Sequence, residues 1–229
     1  MSAASLRARV RTEMIEEIKA TARRRLATDG AGLSLRGVAR DMGIVASALY
    51  RYFPSRDDLL TALILESYES LGAAATRAAA TGNDDRWQWL AVCHAVRDWA
   101  LTNPAEYGLL YGSPIPGYDA PHDTIAPAAT VVLLLSDIAG AAHYAGRLQP
   151  APLATPLPAP VRADLRVLIA QRDSDLPEEV LDRVFLGWTQ LFGLITFEIF
   201  GRLEGTVTAR AEYFEHQMSL IADLIGLPA

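Results

Sequence analysis

Apolar residues recur along this chain at intervals of three and four, and no run alternates apolar with polar positions as a strand would. That period predicts an all-α fold. A first helix is expected over about residues 6–28, with Ile15, Ile18, Ala22 and Leu26 on one face. Asp29-Gly30-Ala31-Gly32 stops it, with Gly30 as the left-handed cap. Ser34 is placed to cap a short helix whose inner face is Val38, Ala39 and Met42. Gly43 permits a sharp turn, and a second short helix follows over about residues 45–52 with Ala48, Leu49 and Tyr52 inward. Pro54 ends that helix, because it removes an amide and restricts the residue before it. Ser55 and Asp58 form a capping box that opens a long helix to about residue 80 through Leu59, Leu63, Ile64 and Leu71. Two short helices around a tight turn make a helix-turn-helix.

The remaining pattern is helical too. Thr81-Gly82-Asn83 breaks the long helix, and Asp84-Asp85 favours the start of the next through its dipole. Leu90, Val92, Val96 and Trp99 are that helix's inward positions. Asn103-Pro104 begins a short helix carrying Tyr107 and Tyr111, and two prolines between Gly112 and Gly117 require a loop. A helix over about residues 123–146 is apolar around most of its circumference and is expected to be central. QPAPLATPLPAP, residues 149–160, reads as an extended crossing. A charged helix at about 161–172 precedes two final helices over about 178–203 and 209–225. Both final helices carry more than one apolar stripe, Phe214 and Ile221 included, so one stripe is expected to face a second subunit.

Composition adds the class. With 51% hydrophobic and 21% charged residues, the 229-residue chain can bury a sizeable core. The lone Cys93 forms no internal disulfide, which suits a reducing cytoplasm. The N-terminus lacks the apolar segment of a secretory signal, and no apolar run approaches a membrane span of about 18 residues. Net charge is −6, but its distribution matters more. Residues 1–56 hold eleven Lys and Arg against five acids, a net of +6 on an otherwise acidic chain. A basic head on an acidic body is the footprint of a DNA-binding domain joined to one with another task.

The stretch GIVASALYRYFPSRDDLL, from Gly43 to Leu60, resembles the DNA-binding region of the TetR (tetracycline-repressor) family of bacterial regulators. Gly43, Leu49, Tyr50, Tyr52, Phe53, Ser55, Arg56, Asp57 and Leu60 all fall on its pattern. Val45 departs from it, standing where the family has Ser or Thr, so a hydroxyl cap and a backbone contact are missing. More weakly, DWALTNPAEYGLLYG (98–112) and GWTQLFGLITFEIFG (187–201) resemble the family's ligand-sensing domain with a Trp…His-Gly signature. Trp188 and Gly193 match, whereas Phe192 holds the histidine slot, so that histidine's ligand contact does not carry over.

The resemblance implies a division into a DNA-binding domain, residues 1–56, and a ligand-binding and dimerisation domain, residues 57–229. Arg36 occupies a slot from which an arginine fork reaches guanine, or else it is solvated or bound to phosphate. Ser34, two residues earlier, is also a candidate for DNA contact. Ala46 and Ser47 are expected to face bases, offering small methyl or hydroxyl contacts. Tyr50, Tyr52, Ser55 and Arg56 suit phosphates, although Tyr52 also reads as core. In the body, Trp99, Tyr107, Tyr111, Tyr144, Trp188 and Phe192 are the candidates for an aromatic ligand cavity.

Catalytic motifs are missing: there is no GxGxxG, P-loop or HExxH, and the four histidines show no paired ligand spacing. Glu198 reads as a routine i,i+4 partner of Arg202. The expected protein is therefore not an enzyme and needs no cofactor or metal. It is a cytoplasmic homodimer that binds a palindromic operator in double-stranded DNA, most simply as a repressor, without touching a membrane. A small apolar or aromatic effector releases it. The alternatives are an enzyme or carrier with an aromatic-lined body, and a regulator of the same fold controlled by a protein partner.

Overall fold

The computed structural model describes residues 3–29, 32–82, 84–150 and 155–227, and among them every regular element is a helix. In order these are α1 (Ala3–Asp29), α2 (Leu35–Asp41), α3 (Ala46–Leu49), α4 (Arg56–Ala79), α5 (Asp85–Thr102) and α6 (Pro104–Tyr111). A 3₁₀ turn, His122–Thr124, leads into α7 (Ile125–Tyr144), followed by α8 (Ala159–Gln171), α9 (Glu178–Ile199) and α10 (Arg210–Ile225). The expected breakers Gly30 and Asn83 lie outside the described residues, as do residues 151–154 of the proline-rich stretch.

The chain forms two compact units. One contains Met1–Ser70 with Asn103–Pro127, and the other Leu71–Thr102 with Ala128–Ala229. These units do not follow the boundary drawn after residue 56. The first half of α4 belongs to the first unit, and so do α6 and the loop after it. The reason is apolar burial: Ala105, Leu109, Ile115 and Tyr118 pack on the core formed by Ile18, Ala22, Leu35, Val38, Leu49 and Leu63. The Tyr118 hydroxyl also lies 3.0 Å from that of Thr61 on α4.

In the second unit α5, α9 and α10 pack on one another, and α8 lies on α9. Their shared core includes Trp89, Val92, Val96, Val184, Leu191, Ile195, Phe214 and Met218. Close approach at Gly187 sets the spacing. A Cβ there would stand 2.8 Å from both Ile221 Cγ2 and Trp89 Cζ2, nearer than packed carbons tolerate. Glu198 departs from expectation. It pairs with Arg97 of α5, at 2.8 Å and 2.6 Å, rather than with Arg202. α9 ends at Ile199, which leaves Arg202 outside the helical register that an i,i+4 pair requires.

The central position expected of α7 is only partly realised. Val131, Leu135, Ile138 and Ala142 are buried, whereas Ile125, Leu133 and Tyr144 are exposed. By length and composition His122–Tyr144 and Glu178–Ile199 are apolar enough to cross a membrane, but each buries part of its surface among neighbouring helices. On the final helices Phe214 and Ile221 face the chain's own core, and the exposed apolar face comprises Leu186, Phe197, Phe200, Tyr213 and Leu220.

Candidate nucleic-acid interface and ligand cavity

The helix-turn-helix is built from local bonds. Ser34 Oγ accepts the amide of Gly37 at 3.2 Å and so caps α2 as its sequence position requires. Gly43 has φ +67°, and the chain folds back so that the Ile44 amide donates to Ala39 O at 3.0 Å. Val45 then occupies the cap position of α3 with no side-chain bond, and it is 70% exposed. Regular helix stops at Leu49, short of the expected eight residues. The Leu49 carbonyl accepts from both Tyr52 and Phe53, at 2.9 Å and 3.1 Å, so the backbone tightens into turns before Pro54.

Ser55 Oγ accepts the Asp58 amide at 3.0 Å and donates to Asp58 Oδ2 at 2.6 Å, which caps α4. Arg56 is partly committed within the fold, because its Nε donates to Leu33 O at 2.9 Å and ties α4 to the segment ahead of α2. Tyr52 is half-buried against the head core, with the Arg11 guanidinium 5.3 Å from its ring centre. Tyr50 is exposed, Ser47 is exposed, and Ala46 is half-buried.

Electrostatics separates two kinds of cation. On α1, Lys19 reaches Glu16 and Glu66 at 2.7 Å and 3.0 Å, Arg23 reaches Glu66 at 2.5 Å, and Arg25 pairs with Asp41 at 2.7 Å. Those charges are spent inside the unit. Arg36, Arg40 and Arg51, on or beside α2 and α3, are exposed and have no side-chain partner among the described residues. Sequence reasoning picked out Arg36 and passed over Arg40 and Arg51. Their signal was positional, since both flank the turn of the motif.

The candidate ligand residues do not form one cluster. Tyr107 and Tyr111 belong to the first unit, where Tyr111 meets Tyr68 edge-on at 6.2 Å and burial pushes its phenol far above the usual range. Trp99 is buried in the second unit. Along α9, Phe185, Trp188 and Phe192 follow edge to face, with centroids 5.7 Å and 6.3 Å apart. Of the six candidates, Tyr144 alone lines the cavity of about 550 Å³ that opens between α7, α8 and the start of α9. Val132, Leu133, Gly140, Leu168, Leu181 and Phe185 supply most of its apolar wall. These α7 and α8 positions were missed because the space is left by small residues, not announced by large ones.

Comparison with known proteins agrees with this geometry. Residues 18–63 match the family model for bacterial regulatory proteins of the tetR family, and residues 89–221 match the model for the tetracyclin repressor-like C-terminal domain. The HTH-type transcriptional regulators Mb1846 of Mycobacterium bovis and Rv1816 of Mycobacterium tuberculosis are each 40% identical over 195 residues, covering 83% of this chain and 82% of theirs. The structure of the regulatory protein SCO4313 superimposes with a TM-score of 0.77 at 34% identity, covering 93% of this chain and 97% of that one. The TetR-family regulator PfmR of Thermus thermophilus shares the fold at a TM-score of 0.62 and 18% identity, with 93% and 99% coverage. With a helix-turn-helix that leaves Arg36, Arg40 and Arg51 without side-chain partners among the described residues, and matches spanning both regions, the chain belongs to the TetR family of DNA-binding transcriptional regulators.

Proposed function

We propose that the protein is a cytoplasmic repressor that binds a palindromic operator as a homodimer and is released by a small-molecule effector held in its C-terminal unit. The observation that carries the DNA half is the contrast among its arginines. Arg36, Arg40 and Arg51 keep their charge unspent at the helix-turn-helix, whereas Lys19, Arg23 and Arg25 of α1 are neutralised internally. Arg36 reads a base edge, and Ala46 and Ser47 approach bases with small groups. Tyr50, Tyr52, Ser55 and Arg56 face the phosphates from the end of α3 and the start of α4.

Two copies joined through the exposed apolar face of α9 and α10 present two heads to half-sites about 34 Å apart. The residues of that face, Leu186, Phe197, Phe200, Tyr213 and Leu220, have no partner function in a lone chain. The test is selection of duplex DNA from a random library by the purified protein, followed by anisotropy titrations at several salt concentrations. An inverted repeat with a steep salt dependence is expected, with loss of preference at one position per half-site in Arg36→Ala. Binding without sequence preference, or to a single half-site only, overturns the reading.

A further inference from the structure

The cavity between α7, α8 and the start of α9 has a composition that limits what can enter it. Its volume, about 550 Å³, lies in the range of small-ligand sites. Its two charged side chains, Asp137 and Arg172, hold each other at 2.6 Å across α7 and the end of α8. Its hydroxyls are also engaged. Ser136 donates to Val132 O at 2.7 Å, and Tyr144 and Ser174 lie 3.1 Å apart, with the Asp175 amide donating to Tyr144 at 3.1 Å. The Gln171 amide, by contrast, has no side-chain partner among the described residues.

We infer that this cavity binds an uncharged, largely apolar small molecule, oriented by one or two hydrogen bonds at Gln171. The inference names the ligand class for the effector reading above and rests on it. An ionised ligand would lose its hydration without gaining a free counter-charge. Asp137 already offsets the charge of Arg172, so an anion entering the wall meets no net positive charge. Of α8, which forms one wall, only Leu165 is buried. Exposed ion pairs from Arg162 to Glu179, at 2.7 Å, and from Arg166 to Glu178 hold it on α9. Such pairs are weak and screened by salt.

Two fluorescent probes that share an anilinonaphthalene frame test the inference on the full-length protein: neutral N-phenyl-1-naphthylamine and the anion 8-anilinonaphthalene-1-sulfonate. The neutral probe is expected to bind one per chain, at least about tenfold tighter than the sulfonate, because only the latter brings an unpaired charge. Ala141→Trp fills the space from an exposed position of α7, and Leu168→Asp places a charge on the wall. Each should cost the neutral probe at least about tenfold, with helical circular dichroism unchanged. Asp137→Asn frees Arg172 and should narrow the gap between the two probes. Equal affinity for both probes overturns the inference, as does neutral-probe binding that is indifferent to both wall variants. The same titration repeated with operator present separates the two levels. A wall-sensitive site whose affinity is unaffected by operator supports the cavity assignment and overturns release by effector.

Discussion

Arg97 of α5 and Glu198 of α9 meet in a two-pronged ion pair inside the second unit, with the Arg97 guanidinium also 5.2 Å from the centre of the Phe214 ring. Arg97 is 9% exposed and the Glu198 side chain 7%, so water screens neither charge. The bond to Glu198 raises the Arg97 pKa further, which keeps the guanidinium charged. Glu198→Gln is expected to lower unfolding stability by about 3–5 kcal/mol, since it leaves a buried cation uncompensated. Arg97→Met combined with Glu198→Leu should recover most of that loss. Urea unfolding followed by circular dichroism measures both, and a double variant no better than the single one would show that the pair contributes more than mutual neutralisation.

Val45→Ser supplies the missing cap of α3. It should stabilise the first unit by roughly 1 kcal/mol and strengthen binding to all DNA sequences alike, through an added hydroxyl toward the backbone. Thermal unfolding and DNA titration on a matched pair of specific and random duplexes give the two readouts.

Arg51 and Arg56 are expected to part company. Arg51→Ala removes a solvated charge, leaves stability within about 0.5 kcal/mol, and flattens the slope of log affinity against log salt by about 0.9. Arg56→Ala takes the donor from the carbonyl of buried Leu33, so it should cost about 1–3 kcal/mol of stability as well as DNA affinity. Equal stability in both variants would mean that the Leu33 bond is dispensable.

The proposed subunit contact uses the exposed apolar face and not the buried Phe214 and Ile221. Phe197→Asp or Leu220→Asp, on the exposed face, should give folded monomers in sedimentation at micromolar concentration. Phe214→Asp, 1% exposed in the chain's own core, should unfold the second unit and not merely separate subunits.

Local chemistry was legible in the sequence, and distant chemistry was not. Ser34 and Ser55 cap the helices expected of them because a cap and its amide lie three residues apart. Glu198 was misassigned because its partner lies 101 residues away and its near neighbour Arg202 offered a familiar spacing. Tyr107 and Tyr111 were grouped with the body because residues 98–112 resemble the ligand-sensing domain, yet Leu109 and Ile115 around them pack on the head core. Phe214 and Ile221 lie on doubly apolar faces, and periodicity does not say which stripe turns inward. A cavity is harder still, since it arises where Ala129, Gly140 and Ala141 fail to fill space.

The brevity of α3 has a thermodynamic consequence. One helical turn without a side-chain cap lies far below the length at which a helix sustains itself, so its amides should exchange with solvent sooner than those of α1 or α4. In the DNA-binding role proposed above, an element this short is expected to be completed by the DNA it reads. Ordering on contact adds a negative heat-capacity change and an entropic penalty beyond those of rigid docking. Operator affinity should therefore fall more steeply on warming than the buried surface alone would require, making the head's grip on DNA intrinsically temperature-dependent.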